Sequence, residues 1–130
     1  MSDARSLVIE FYDALAAGDV SAVVAIVEAN FADDAVLTRP KSLPGGGQTA
    51  GAGRIARFMK GAASAGLPVQ VVGVYGASAG DGTNVFADVT IDMGNGPIRA
   101  LEWWTFVDGR VTTLQAFYWD TAAMLAPQPN

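Results

Sequence analysis

The sequence predicts a single α+β domain in which three N-terminal helices pack on a strongly curved, mostly antiparallel sheet. Over most of the first 65 residues, apolar side chains recur at the three- and four-residue spacing of one helical face. After residue 68, four segments rich in β-branched and aromatic residues alternate with short connections rich in Gly, Asp and Asn. Helices that precede a run of strands are typical of α+β domains, and 130 residues are enough for one hydrophobic core.

Two amphipathic helices are predicted first, over residues 2–17 and 20–30. The apolar face of the first helix carries Leu7, Val8, Phe11, Tyr12 and Leu15. Asp3 or the serine before it can cap this helix, and Gly18 is the kind of residue that ends one. Asp19 is placed to cap the second helix.

A short strand, a loop and a third helix are predicted next. Residues 31–34 turn the chain into a strand over residues 35–38, and residues 39–49 form a loop because Pro and Gly are frequent there. The third helix covers residues 52–65, and Gly66 ends it. Its apolar face carries Ile55, Phe58, Met59 and Ala62.

The second half of the chain is predicted to form a four-strand meander. Its strands cover residues 69–77, 85–93, 98–107 and 111–119. Asp108-Gly109, between two apolar runs, is a strong signal for a two-residue hairpin turn. Alternation along the third strand places Glu102, Trp104 and Phe106 on one face of the sheet. Residues 122–130 are predicted to be a loose tail.

The composition excludes several classes of function. The net charge is −5 and there is no basic run, which argues against a nucleic-acid partner. The chain contains no Cys and no His, so thiolate chemistry, imidazole chemistry and the commonest metal ligands are missing. No apolar run is long enough for a membrane span and the N-terminus does not resemble a signal peptide, so we expect no membrane partner and a cytoplasmic protein. Hydrophobic residues make up 51% of the chain, an excess that predicts a large internal cavity or a subunit interface.

Four segments, taken in order, resemble one known group of proteins. They are FYDALAAGDVSAV, FADDAVL, the RIARFM helix after Gly51, and EWWTFVDGRV with a closing FYWD. This set resembles the SnoaL-like, ketosteroid-isomerase-like proteins of the nuclear transport factor 2-like superfamily. The resemblance implies a cystatin-like cone around an apolar pocket, and a homodimer formed through the outer sheet face. The fold hosts isomerases, polyketide cyclases, dehydratases and non-catalytic proteins, so it does not determine the function.

The resemblance also implies roles for Tyr12 and Glu102. In the isomerase-like pattern, a tyrosine at the position of Tyr12 donates a hydrogen bond to a substrate oxyanion, and a protonated acid lies at the position of Glu102. A carboxyl group walled by apolar side chains loses hydration, so we expect a raised pKa for Glu102. Alternatively, Tyr12 is a core tyrosine, and Glu102 pairs with Arg39 or Arg99 or faces solvent at an interface.

Arg39 stands where the isomerase-like pattern has its general base, an aspartate. An arginine cannot accept a proton at neutral pH, so the usual double-bond isomerisation is not expected from this position. Arg39 could instead bind a carboxylate, phosphate or enolate oxygen, form an ion pair with Glu102, or lie solvated at the pocket rim.

Asp120 and an aromatic stripe complete the candidate site. Asp120 is either an acid or base near the pocket mouth or the cap of the turn that follows it. The side chains expected to line the pocket and contact a substrate are Trp104, Phe106, Val89, Leu114, Tyr118 and Phe58.

Two functions from different classes fit these residues. The first is an isomerase, cyclase or dehydratase that acts on an apolar carbonyl compound through Tyr12 and Glu102, with Arg39 as an anion-orienting group and without cofactor or metal. The second is a non-catalytic module that binds an apolar small molecule or forms a dimer. A structural partner domain of a hetero-dimer is a third alternative.

Overall fold

The fold follows the predicted order of helices and strands. A computed structural model describes residues 3–66, 68–79 and 82–125. Its elements are α1 (Ala4–Ala16), α2 (Val20–Asn30), β1 (Phe31–Arg39), β2 (Gly47–Ala50), α3 (Ala52–Ser64), β3 (Val69–Ala79), β4 (Gly82–Asp92), β5 (Pro97–Val107), β6 (Arg110–Tyr118) and α4 (Thr121–Leu125). The prediction of an α+β fold with three N-terminal helices is confirmed.

All six strands belong to one curved, unclosed sheet. The strand order is β2-β1-β6-β5-β4-β3, and the last four strands in the sequence form the predicted antiparallel meander. β1 joins this meander by pairing parallel to β6, which is the one parallel step in the sheet. The concave face is therefore built from strands at both ends of the chain, and it packs against the helices.

The predicted helix caps are present. The Asp3 side chain accepts a hydrogen bond from the Ser6 amide at 2.7 Å, and the Asp19 side chain accepts one from the Ala22 amide at 3.1 Å. Each bond satisfies an amide that has no partner within its helix. After α1, Gly18 has a positive φ of 67°, a backbone conformation that glycine adopts without strain.

The hairpin turn starts the pairing of the two strands that carry the aromatic stripe, and the register shifts by one residue between Thr105 and Phe106. Asp108 and Gly109 both have positive φ, 52° and 78°, as a type I′ turn requires. Val107 and Arg110 pair on either side of the turn, and Glu102 pairs with Ala116 further along. The register points Trp104 and Phe106 into the core, as predicted from alternation.

Two predictions between α2 and α3 are wrong. Residues 31–34 continue the strand instead of forming a turn, and the register with β6 shifts between Phe31 and Val36. Asp33 and Asp34, whose residue type favoured the turn prediction, lie at this irregularity and are exposed. Part of the predicted loop forms β2, which pairs antiparallel with the outer edge of β1. The pairing satisfies backbone N–H and C=O groups of β2. A local sequence pattern does not reveal that such a pairing partner exists.

The prediction of a loose tail is wrong for residues 122–125, which belong to α4. Residues 126–130, the rest of that prediction, lie outside the described part of the chain. Asp120 accepts a hydrogen bond from the Ala123 amide at 3.1 Å, which caps α4. None of the helices within residues 3–66, 68–79 and 82–125 is long and apolar enough to cross a membrane.

Aromatic side chains fill the core near the hairpin end of the sheet. Trp104 is fully buried and lies edge-on to Phe11 and Phe31, with ring centroids 5.0 and 5.7 Å apart. Phe11 comes from α1 and Phe31 from the start of β1, so this cluster joins both halves of the chain. The cluster leaves no room for a large pocket beside Trp104.

The outer face of the sheet carries a row of exposed apolar side chains. These include Leu101, Trp103 and Phe117 on β5 and β6, and Trp119 just beyond β6, with exposed fractions from 36% to 86%. Between them and the Asp88–Arg99 ion pair lies a groove of about 600 Å³. Part of the apolar excess in the composition therefore lies on this surface.

Two glycine substitutions should change stability in opposite directions. Gly109→Ala places a side chain at a φ of 78°, which costs roughly 1 kcal/mol, while Gly61→Ala removes backbone freedom inside α3 and should stabilise by roughly 0.5–1 kcal/mol. Apart from the adjacent residues and, for Gly61, the backbone of its own helix, no atom lies within 4 Å of either new Cβ position, so the comparison isolates the backbone effect. Urea unfolding midpoints measure both changes, and an unaltered midpoint for Gly109→Ala would contradict the turn geometry.

Candidate functional site

A cavity of about 100 Å³ lies between α1, α3 and the concave face of the sheet. Its polar lining among the described residues consists of Arg39, Glu102 and Tyr118. Its apolar lining includes Leu15, Leu37, Met59, Ile91, Met93 and Met124. The cavity is small beside the roughly 300–1,000 Å³ of pockets that hold drug-sized ligands. This cavity, lined by described residues, is therefore not the large internal cavity that the composition offered as one alternative.

Strand pairing brings the three polar groups to one place. Glu102 pairs with Ala116 on β6, and Tyr118 is the next residue of β6 on the same face. On the other side of β6, Leu37 pairs with Leu114, and Arg39 lies two residues further along β1. Side chains two residues apart share a sheet face, so β1, β6 and β5 present these three groups to the same cavity.

Tyr12 holds Glu102 directly. The Tyr12 hydroxyl donates to Glu102 Oε1 at 2.6 Å, and it accepts a hydrogen bond from Trp104 Nε1 at 3.2 Å. Tyr12 is only 1% exposed and is not among the described residues that line the cavity. The resemblance implied that Tyr12 donates to a substrate oxyanion, but its hydroxyl donates to Glu102 instead. The phenol lies behind the carboxyl group, in the wall.

The surroundings of Glu102 act on its pKa in opposite directions. Burial raises the pKa of Glu102 above its ordinary value, while the hydrogen bond from Tyr12 and the charge of Arg39 lower it, with a net rise. Burial, followed by the nearby Glu102 charge, raises the pKa of Tyr12 well above its ordinary value. Tyr12 therefore remains a phenol and a hydrogen-bond donor at every pH at which the protein would work.

Arg39 lies at the rim and is held by its neighbours. Its Nη1 donates to the Pro44 carbonyl oxygen at 3.1 Å, and its guanidinium lies 4.9 Å from the centroid of the Phe58 ring. The possible ion pair with Glu102 is not formed, because the ion pair found among the described residues is Arg99–Asp88, at 2.7 Å on the outer face. Arg39 thus faces the cavity without neutralising Glu102 by contact.

The pKa of Tyr118 depends on both Glu102 and Arg39. Burial and the Glu102 charge raise the pKa of Tyr118, whereas hydrogen bonding and charge from Arg39 lower it, with a net rise. Its hydroxyl is therefore neutral and close to Arg39. Tyr118 was predicted only as part of the pocket lining, although a tyrosine at the end of an inward-facing stripe could have indicated a polar role.

The predicted lining is only partly correct. Tyr118 and Phe58 border the cavity, but Trp104, Phe106, Val89 and Leu114 do not, and all four are buried in the core. The aromatic cluster around Trp104 fills the hairpin end of the cone, which accounts for the burial of Trp104 and its neighbour Phe106. Three methionines that were not predicted in the pocket lining, Met59, Met93 and Met124, border the cavity instead.

Asp120 does not join the other candidates. It is exposed, lies outside the cavity lining and caps α4, as one of its two predicted roles required. Within the described ranges, no group of three or more carboxylates is placed to hold a metal ion.

Comparison with known proteins agrees with this architecture. The family described as the SnoaL-like domain matches residues 8–114. An NTF2-like protein of unknown function from Cytophaga hutchinsonii is similar with a TM-score of 0.69 and 19% identity, covering 97% of each chain. No curated protein sequence matches the chain.

Two further solved structures carry names that refer to activities. A protein from Sinorhizobium meliloti, whose name suggests a polyketide cyclase, has a TM-score of 0.60 and 23% identity over 86% of this chain and 94% of its own. A protein from Kribbella flavida, whose name suggests a ketosteroid isomerase, has a TM-score of 0.64 and 17% identity over 97% of this chain and 82% of its own. At these identities the likeness shows the fold alone.

The raised pKa of Glu102 should make stability depend on pH. The folded protein holds this proton more tightly than the unfolded chain, so the stabilisation is complete below the ordinary value of 4.5 and is lost as pH rises through the raised folded pKa. Urea unfolding between about pH 4 and pH 8 should show this loss in the wild type and not in Glu102→Gln. Exposed Glu28 offers a matched control, because Glu28→Gln should keep the wild-type pH dependence. An identical pH dependence of stability for wild type and Glu102→Gln would contradict the raised pKa of Glu102.

Proposed function

Because the chain belongs to the SnoaL-like domain family, we propose that it is an enzyme that transfers a proton on a small, apolar carbonyl compound. The observation that carries the proposal is Glu102, a carboxyl group of raised pKa that borders an apolar cavity and is fixed by a 2.6 Å hydrogen bond. Carboxyl groups with a pKa raised toward neutrality are suited to general acid–base catalysis. Isomerisation, cyclisation and dehydration all use such a proton transfer.

The comparisons support the class of reaction but not its details. The names of the Sinorhizobium meliloti and Kribbella flavida proteins refer to a polyketide cyclase and a ketosteroid isomerase. In this chain Arg39 occupies the point at which the isomerase-like pattern has its base, so Glu102 is the carboxyl group left at the cavity. The chemistry needs no cofactor, because a proton is moved and no electrons are transferred to a second reactant.

Cavity size limits the substrate. About 100 Å³ accepts a small ring or a short branched chain, and it does not accept a fused four-ring skeleton. Three methionines give the lining some adaptability, because unbranched thioether side chains change rotamer at low cost. The proposed substrates are therefore small ketones or enones with an apolar body.

A non-catalytic binding role is the second candidate. Two observations favour it, namely the arginine at the usual position of the base and the small volume of the cavity. A binder would hold an apolar ligand with an anionic end near Arg39. It would not speed proton exchange on any carbonyl compound.

A homodimer through the outer sheet face is also proposed. The exposed side chains of Leu101, Trp103, Phe117 and Trp119 form a continuous apolar surface of the kind that subunit interfaces cover. The Asp88–Arg99 pair, across the groove from these side chains, offers both charges to a second copy across a two-fold axis. This surface lies on the opposite side of the sheet from the cavity.

Substitution of Glu102 tests the enzymatic proposal. We expect wild-type protein to speed deuterium incorporation next to the carbonyl of cyclopentanone in D2O, and Glu102→Gln to lower that rate by roughly 100-fold or more, because the amide cannot accept the proton. Proton NMR follows the exchange. Glu28→Gln, on the exposed side of α2, is the control and should retain the wild-type rate. Equal rates for wild type and Glu102→Gln would rule out the proposed chemistry and favour the binding role.

Substitution of Phe117 tests the interface. Phe117→Asp puts a charge into the apolar surface and should convert a dimer into a monomer at micromolar concentration in sedimentation velocity, with the far-UV circular dichroism unchanged. Ser21→Asp adds the same charge on exposed α2 and should leave the dimer intact. A monomeric wild type, or a dimeric Phe117→Asp, would contradict this interface.

A further inference from the structure

We propose that the roles in this site are reversed relative to the isomerase-like pattern. In that pattern the groups at the positions of Tyr12 and Glu102 bind the oxyanion, and the group at the position of Arg39 is the base. In our assignment Arg39 and Tyr118 bind the oxyanion, Glu102 accepts the proton, and Tyr12 positions Glu102 without touching the substrate. The inference rests on the proposed function, and it names the residue that performs each part of it.

Tyr12 has no hydroxyl proton left to donate to a substrate. A tyrosine hydroxyl carries one proton, and this proton goes to Glu102 Oε1 at 2.6 Å. The oxygen also accepts from Trp104 Nε1, and the residue is 1% exposed within the wall. A substrate oxygen would have to break the hydrogen bond to Glu102 and enter the core to reach this phenol. Tyr12 is therefore a positioning residue.

Arg39 and Tyr118 are arranged as donors. A guanidinium has five N–H donors, and Arg39 gives one of them to the Pro44 carbonyl oxygen. Its contact with the Phe58 ring fixes the plane of the group at the cavity rim. Tyr118 borders the same cavity with a neutral hydroxyl, and hydrogen bonding and charge from Arg39 lower the pKa of that hydroxyl against the larger rise caused by burial and by Glu102. A positive donor and a phenol at one end of an apolar cavity suit a developing negative charge.

Glu102 is arranged as an acceptor. Tyr12 occupies Oε1, which leaves Oε2 for a molecule in the cavity. The titratable groups that face this carboxyl are Tyr12 from α1, Arg39 from β1 and Tyr118 from β6. The described cavity-lining residues of α3 and β4 are uncharged. The carboxylate form is thus stabilised by Tyr12 and by Arg39 against the cost of burial.

The proton transfer balances without a second reactant. Glu102 Oε2 takes a proton from the carbon next to the carbonyl group, so that a C–H bond breaks and an O–H bond forms. The C–H electron pair becomes a carbon–carbon double bond, and the carbonyl π pair moves to the oxygen, where Arg39 and Tyr118 donate hydrogen bonds. Return of the proton to the same carbon or to a conjugated one restores the carboxylate. The matching substrates are small, neutral, enolisable ketones and enones.

Binding of para-nitrophenol tests the assignment without turnover. Its phenolate resembles an enolate, and its absorption reports ionisation and binding. We expect wild-type protein to bind it, Tyr118→Phe to weaken binding by roughly tenfold or more, and Tyr12→Phe to change it by less than about threefold. A larger loss in Tyr12→Phe than in Tyr118→Phe would overturn the assignment, and so would a wild type that does not bind the phenolate.

The pH profile of deuterium exchange separates the two proposals. Tyr12→Phe removes a hydrogen bond that lowers the pKa of Glu102, so the acid limb of the profile should move to higher pH. Tyr118→Phe should lower the plateau rate by roughly tenfold or more without moving that limb. Phenolate binding with the expected pattern but no exchange would refute the proposed function alone. Exchange that depends on Tyr12 for its plateau rate and not on Tyr118 would refute only the reversed roles.

Discussion

The hydrogen bond from Tyr12 to Glu102 is the constraint on which the site depends. It joins α1 to β5 across 90 positions of sequence and lies in the wall of an apolar cavity. A carboxyl group in such a place needs a donor, because the loss of hydration otherwise costs several kcal/mol. Tyr12 supplies the donor, and Trp104 holds the Tyr12 oxygen in turn. Because Oε1 accepts the hydrogen bond from Tyr12, Oε2 is the carboxyl oxygen that remains for a molecule in the cavity.

The fold places every member of this chain of contacts. The Asp108-Gly109 turn starts the β5–β6 pairing, and after a one-residue register shift between Thr105 and Phe106 the pairing puts Glu102 and Tyr118 on the concave face at neighbouring positions. Parallel pairing of β1 with β6 then adds Arg39 to the same end of the cone. The two faces of β5 therefore carry side chains of different chemistry. Its inner side carries the titratable site, and its outer side carries an apolar surface suited to a second subunit.

Much of this architecture was predictable because it is local in sequence. The hairpin turn, the caps of α1 and α2 and the alternation along β5 are each specified within a few residues. The pairing of β2 with β1 depends on contacts outside those windows. The size of the cavity depends on how Phe11 and Phe31 pack around Trp104, which periodicity cannot predict. For the same reason Tyr12 was expected at the cavity surface and lies in its wall.

The hydroxyl proton of Tyr12 gives the most direct test of the central claim. In a short hydrogen bond to a carboxylate, shielded from water, this proton should give a resolved downfield resonance in proton NMR that exchanges slowly with solvent. The resonance should vanish in Tyr12→Phe, move upfield in Glu102→Gln and persist in Tyr118→Phe. Absence of any such resonance in the wild type, or its loss in Tyr118→Phe but not in Tyr12→Phe, would contradict the account.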